Sequence, residues 1–122
     1  MDNKHCLIYL KQLLKNLSSD AHTQQQSIPK EISWNAPSDI ANEWDYDNIR
    51  YFVEKLQNND IISDSIVQGL KTICDNFDKV SKNGAQFDQT IWTIDGLLNH
   101  PFWERQRQLA RDLLDELNKV AL

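Results

Sequence analysis

The chain has 122 residues, of which 40% are hydrophobic and 25% charged, with three glycines, three prolines and a net charge of −5. That length suggests one domain with room to bury a core unaided by metal or disulfides, and the composition excludes a disordered chain and disfavours a turn-rich β protein. The acidic balance argues against nucleic-acid binding, which needs Lys and Arg to displace counterions.

The charge is unevenly placed. Met1–Ser38 carries +1, Asp39–Asp64 −5, Ser65–Leu98 −1, and Asn99–Leu122 is balanced at zero. Essentially the whole excess lies in one stretch of 26 residues, a pattern that fits a surface meeting a basic partner. Cys6 and Cys74 both fall on apolar helical stripes, so buried free thiols are expected rather than a disulfide. The opening MDNKHCLIYL has no basic n-region, long apolar run or small-residue cleavage site. No signal peptide and no membrane span are expected, and a cytoplasmic location follows as the default.

The first helix is predicted over Asn3–Leu17, where Cys6, Leu7, Leu10, Leu13, Leu14 and Leu17 form one stripe. Ala21–Pro37, with Gln24-Gln25-Gln26, Pro29 and Pro37, is the least patterned part and reads as an irregular linker, part of it a short helical turn. Trp34 in this linker either pins it to the core or stands exposed, with pinning favoured. Ser38 is expected to cap a short helix from Asp39 to about Trp44. Asp45 or Asp47 caps the next, to about Asn58, with Ile49, Phe52, Val53 and Leu56 inward. Asn58-Asn59-Asp60 is a turn.

Ile61–Val80 is the following helix, its apolar positions running from Ile62 to Val80 at three- and four-residue steps. Ser63 or Asp60 caps it, Lys79 and Lys82 suit its negative end, and Gly84 is a suitable stop. Gly69 inside it suggests close helix packing. Gln86–Leu98 is predicted as one helix with Phe87, Ile91, Ile94, Leu97 and Leu98 inward, although Thr90–Ile94 has β-favouring composition. Asn99-His100-Pro101 then breaks the pattern. Proline suits a first helical turn, Asn99 has the better capping chemistry of its two predecessors, and a helix of about 30 Å over Pro101–Val120 follows. Its inward stripe is Phe102, Leu109, Leu113 and Leu117; Arg105, Arg107 and Arg111 are assigned to the outer face, paired within the helix with Glu104, Asp112 and Asp115. The fold class is therefore all-α: a single domain over residues 1–122, a compact bundle of five or six helices with one long irregular linker after the first.

Catalytic chemistry has little to stand on. His5, His22 and His100 lack partners at metal-ligand spacing, no glycine-rich phosphate loop exists, and Ser63 and Ser65 have no nearby histidine. Acidic pairs such as Asp45/Asp47 and Asp75/Asp78 read as solvated helix ends rather than acid–base pairs. No enzyme activity and no cofactor are expected. The strongest functional candidate is Glu43-Trp44-Asp45-Tyr46-Asp47, which alternates carboxylates with large aromatics. Tyrosine and tryptophan are enriched at interface hot spots, and carboxylates around them steer toward Lys or Arg of a partner. The alternative is that Trp44 is core and the acids are helix caps. With Asp39, these residues form the expected partner-binding set: Asp39, Glu43, Trp44, Asp45, Tyr46 and Asp47.

The closing pattern, Ile94-Asp95-Gly96-Leu97-Leu98 followed by Phe102-Trp103-Glu104, Arg107 and Leu109-Ala110-Arg111, resembles the C-terminal part of some small bacterial immunity proteins. These protect cells from contact-dependent growth inhibition toxins and related polymorphic toxins. The resemblance covers about a quarter of the chain and transfers no binding site. It implies a cytoplasmic protein, monomeric or homodimeric, that binds and neutralises one cognate toxin domain, often a nuclease. A helical adaptor that takes a partner helix in a groove, as a homodimer or not, is the alternative expectation.

Overall fold

The computed structural model describes residues 2–26, 36–81 and 83–120. The expectations for Pro29, Trp34 and Lys82 fall outside the described residues. Within them the chain forms seven α-helices and one 3-10 helix: α1 Asn3–Ser18, α2 Ala21–Gln26, α3 Ala36–Asn42, α4 Tyr46–Asn58, α5 Asp64–Val80, the 3-10 helix Gln89–Trp92, α6 Ile94–Asn99 and α7 Pro101–Asn118.

Four long helices make the frame. α1 packs on α4 and α7, and α5 packs on the same two helices. The four thus close a ring in which α1 and α5 are diagonal, and each turns its apolar stripe inward. Cys6, Leu7, Leu10, Leu13, Leu14 and Leu17 of α1 are buried as their spacing predicts, as are Ile49, Val53 and Leu56 of α4. α5 contributes a full stripe from Ile66 to Val80. Each such side chain stabilises the fold by about 1.5–3 kcal/mol relative to exposure. The shorter elements gather around α6, which touches α2, α3, the 3-10 helix and α7.

Caps set the helix boundaries. Asp2 starts α1, its carboxylate accepting from His5 N at 2.8 Å, and Ser63 starts α5 by accepting from Ile66 N at 3.3 Å. Ile61 and Ile62 therefore precede α5 instead of opening it, although Ile62 is still buried. The turn before them puts Asp60 at φ 59°, a left-handed conformation that Asp tolerates better than most residues. α5 ends on Ser81, and the Gly84 N–H bonds Ser81 O at 2.8 Å.

Three further boundaries differ from the spacing. α3 begins two residues before its expected cap, because Pro37 fits the first turn of the helix; Ser38 lies inside it and Trp44 just beyond it. Gln86–Leu98 is two short elements. Asp88 caps the 3-10 helix, and the Thr93 hydroxyl caps α6 by accepting from Gly96 N at 2.9 Å. A residue capping a helix takes extended backbone angles, and Thr93 does so at φ −109°, ψ 162°, which prevents one helix from running through. Phe87 consequently falls in the preceding loop, 47% exposed instead of inward. At the last junction, His100 is the cap: its Nδ1 accepts from Phe102 N at 3.0 Å, while Asn99 closes α6 and donates to Asp95.

The largest departure is Arg107. It lies on the inner side of α7, 3% exposed, where it donates from Nε to Gln24 Oε1 at 3.0 Å and from Nη2 to the Leu97 carbonyl. Arg111, half-buried beside it, donates to the Ser18 carbonyl at 3.2 Å and to Glu104 at 3.0 Å. These arginines tie α7 to α1, α2 and α6, a role that intrahelical pairing alone does not describe. Gln106, 1% exposed, works similarly toward α5, donating to Ile73 O at 3.0 Å and accepting from Asn76.

Candidate interaction surface

The acidic, aromatic segment begins where α3 ends. Trp44 N bonds Ala41 O at 2.9 Å, closing a turn that drives the indole into the core at 2% exposure. Asp45 follows as the cap of α4, its carboxylate accepting from Asp47 N at 3.1 Å. Asp47 lies in the first turn of α4, where a negative charge suits the helix dipole. Trp44 is therefore an anchor for the segment, and the carboxylates around it are what reaches solvent.

The indole also divides the expected set between two clefts. Asp39 and Glu43 line one side, in a cleft of about 300 Å³ shared with Leu17 of α1 and Gln24 of α2. Partial burial holds the Glu43 carboxyl above the usual carboxylate range, although the residue as a whole is exposed. Asp45 lies on the other side, in a larger groove of about 560 Å³. Tyr46 is half-buried, with the Lys71 ammonium 5.3 Å from its ring centroid. Desolvation and, after it, the Glu54 charge push its hydroxyl pKa up.

α5 adds two carboxylates to the second side. Asp75 and Asp78, one turn apart near its C-terminal end, face the N-terminal end of α4. The Asp78 carboxyl is raised above its ordinary value by partial desolvation and then by the charges of Asp45, Asp75 and Asp47. The buried Cys74 thiol beneath them is pushed up to about 12, by burial first and then by Asp78, Asp75 and Asp45. Asp45, Asp47 and Asp75 are thus each within electrostatic reach of Asp78.

No described cation forms an ion pair with Asp39, Glu43, Asp45, Asp47, Asp75 or Asp78. Arg50, the nearest arginine in sequence, is engaged with Glu54 at 3.0 Å. Among the described residues, the negative charge of this region therefore has no ion-pair partner.

The sequence pattern places Asp75 and Asp78 at a solvated helix end, which is where they are. Their proximity to Asp45 and Asp47 depends on how α5 packs against α4 and has no local signal in the chain. A third cleft, of about 520 Å³, lies elsewhere and includes Lys79, Asp88, His100 and Arg105. There His100 Nε2 is 3.3 Å from Asp88, and the Asp88 carboxyl is held low chiefly by bonds from Thr90.

Among the described residues, no group of three or more His, Cys, Asp or Glu is placed to hold a metal ion. None of their helices is long and apolar enough to cross a membrane. Chemically, the described surface offers carboxylates beside aromatic faces, which suits recognition of cations. No family model matches the sequence, and no match was found among curated proteins or solved structures.

Proposed function

We propose that this protein is an immunity protein, an inhibitor that binds and neutralises a cognate bacterial toxin domain of basic character, a class that includes nucleases. Binding, not catalysis, is its activity, and the acidic surface around Asp39–Asp47 blocks the toxin both sterically and by charge. The observation that carries this reading is the concentration on α3, α4 and α5 of carboxylates with no ion-pair partner among the described residues, which adds to desolvation in raising the Asp78 carboxyl. Maintaining like charges together weakens a monomer but speeds and directs encounter with an oppositely charged partner.

The test is association with the toxin domain, measured by surface plasmon resonance across a salt series. Reversing Asp39, Glu43, Asp45 and Asp47 to lysine is expected to slow association at least about tenfold at low salt and to flatten the salt dependence. Unchanged association kinetics would show that the toxin does not meet this face.

A second reading has its own support. Ile8, Tyr9 and Tyr51 are 54%, 37% and 55% exposed, and Tyr9 stacks on Phe52 at a centroid distance of 4.2 Å. This apolar patch across α1 and α4 suits an adaptor that docks a partner helix or a second copy. Sedimentation velocity on the isolated protein separates the readings: a tight dimer that Tyr9→Ser and Tyr51→Ser dissociate favours the adaptor, and a monomer favours the inhibitor.

A further inference from the structure

The groove that Asp45 shares with α5 has walls of two kinds. Trp44, Phe77, Phe87 and Trp92 supply aromatic surface, Asp45 and Asp78 supply carboxylates, and no Lys, Arg or His is among the described residues that line it. Three of the aromatics serve the bundle: Trp44 and Phe77 are buried, and Trp92 donates from its indole N–H to Val80 O at 2.9 Å. Phe87 does not. It leaves 47% of its surface in water, on a loop that could hold a polar residue at no cost to the core. An exposed aromatic ring beside carboxylates, with no counter-charge among the described lining residues, is a binding arrangement for a cation that also has a flat apolar face.

We infer that this groove is the anchor site for one arginine side chain presented by a partner protein. The guanidinium is planar and weakly hydrated, so it stacks on aromatic rings while donating in its plane to carboxylates. Charge complementarity selects arginine over a neutral side chain. The planar face selects it over lysine, whose compact ammonium keeps its water more strongly. Asp75 and Asp47, close enough to act on the Asp78 carboxyl, deepen the negative potential without lining the groove. The inference rests on the inhibitor reading for the identity of the partner and deepens it by naming the contact.

The site is tested without any toxin. The probe is the blocked tripeptide N-acetyl-glycyl-arginyl-glycinamide, with its lysyl and citrullyl counterparts as controls, titrated into ¹⁵N-labelled protein. Millimolar binding is expected, with shifts of the Trp92 indole N–H and of the backbone amides of Asp45, Asp78 and Phe87. Citrulline keeps the planar shape and loses the charge, so its peptide is expected to bind at least about tenfold more weakly. Asp45→Asn with Asp78→Asn is expected to weaken the arginine peptide about tenfold. Asparagine caps a helix as well as aspartate, so the start of α4 is kept. Phe87→Ala, a truncation outside the core, is expected to weaken binding about threefold.

Absence of shifts at the groove, equal binding of the citrulline peptide, or indifference to the paired asparagine variant would each overturn the assignment. The two proposals fail separately. Toxin association that depends on the acidic surface, with no peptide binding, sinks the groove alone. Peptide binding, with toxin association indifferent to charge reversal, sinks the inhibitor reading alone.

Discussion

Arg107 brings a charge into the bundle and uses it to hold three elements together. Its bonds to Gln24, to the Leu97 carbonyl and to Glu104 span α2, α6 and its own helix. Burial lowers its pKa from the ordinary arginine value, partly opposed by Glu104, but a guanidinium stays protonated under any physiological condition. Removing it leaves the Leu97 carbonyl facing a cavity and breaks the bond between Gln24 and α7, although Gln24 still donates to the Asn16 and Leu17 carbonyls. Arg107→Ala is therefore expected to cost about 3 kcal/mol, seen as a lower urea midpoint at unchanged slope. Arg107→Lys is expected to recover less than half of that, since one ammonium cannot span the same acceptors. If Arg107→Ala unfolds at the wild-type midpoint, the guanidinium is not a clamp.

Asp78 has the opposite energetic sign. Its folded-state carboxyl sits above the ordinary value of 3.8 through desolvation and three neighbouring carboxylates, so ionisation at neutral pH costs the folded protein something. As pH falls through the raised folded value, the folded state takes up the proton first and the cost is relieved. Asp78→Asn is expected to stabilise at pH 7, by about 0.5 kcal/mol or less because the site is exposed and screened. The gain shrinks as pH falls through the raised folded value and is gone only about a unit below the unfolded value of about 3.9, where Asp78 is protonated in both states. Thermal melts of both proteins across that range give the comparison; an asparagine variant less stable at neutral pH would contradict the crowding of charge.

At the scale of elements, close approach decides which glycines are replaceable. A Cβ on Gly96 would collide with the Thr90 carbonyl, backbone that cannot move without taking the 3-10 helix away from α6. Gly96→Ala is expected to destabilise by about 2–3 kcal/mol despite alanine's better helix propensity. A Cβ on Gly69 would meet only the end of the Leu113 side chain. In a Leu113→Ala background, Gly69→Ala is expected to stabilise by about 1 kcal/mol, and in the wild-type background by distinctly less. Equal effects in the two backgrounds would mean that α5 and α7 do not meet there.

The same packing explains how far the sequence is legible. α1, α4, α5 and α7 carry apolar positions at helical steps over three or more turns, and such stripes determine the element type. The buried face follows on α1, α4 and α5, whereas on α7 Leu109 and Leu113 are only partly buried and Trp103, Gln106, Arg107 and Ala110 face inward. The Gln86–Leu98 stretch has correct spacing for one helix, but Asp88 and Thr93 each offer a side-chain oxygen that starts a new element, and the local caps override the period. Arg107 looks like a solvent residue by type, and only the arrival of α2 and α6 supplies its acceptors. Asp45 and Asp47 are conspicuous in the chain, whereas the acidic region gains Asp75 and Asp78 through the α4–α5 packing, which no local pattern encodes.

Taken whole, the molecule keeps both reactive sulfurs inside a ring of four helices. Cys6 on α1 is 0% exposed and Cys74 on α5 is 2% exposed, and both are free. Cys74 is further protected because the acidic surface above it disfavours a second negative charge, helping to push its thiol up to about 12. Thiolate is the reactive form, so native Cys74 is shielded by geometry and by ionisation. Unfolding removes both, returning the thiol to about 8.5. Reaction with a disulfide reagent at pH 8 should therefore proceed only through opened molecules, at least about a thousandfold more slowly than in urea-unfolded protein. If the bundle opens as one unit, Cys6 and Cys74 will label together, and their common rate will rise with urea along the global unfolding slope. Single variants Cys6→Ala and Cys74→Ala assign the sulfurs. Rapid labelling of Cys74 in native protein would mean that α5 opens independently of α1, and with it the packing that joins Asp78 to Asp45.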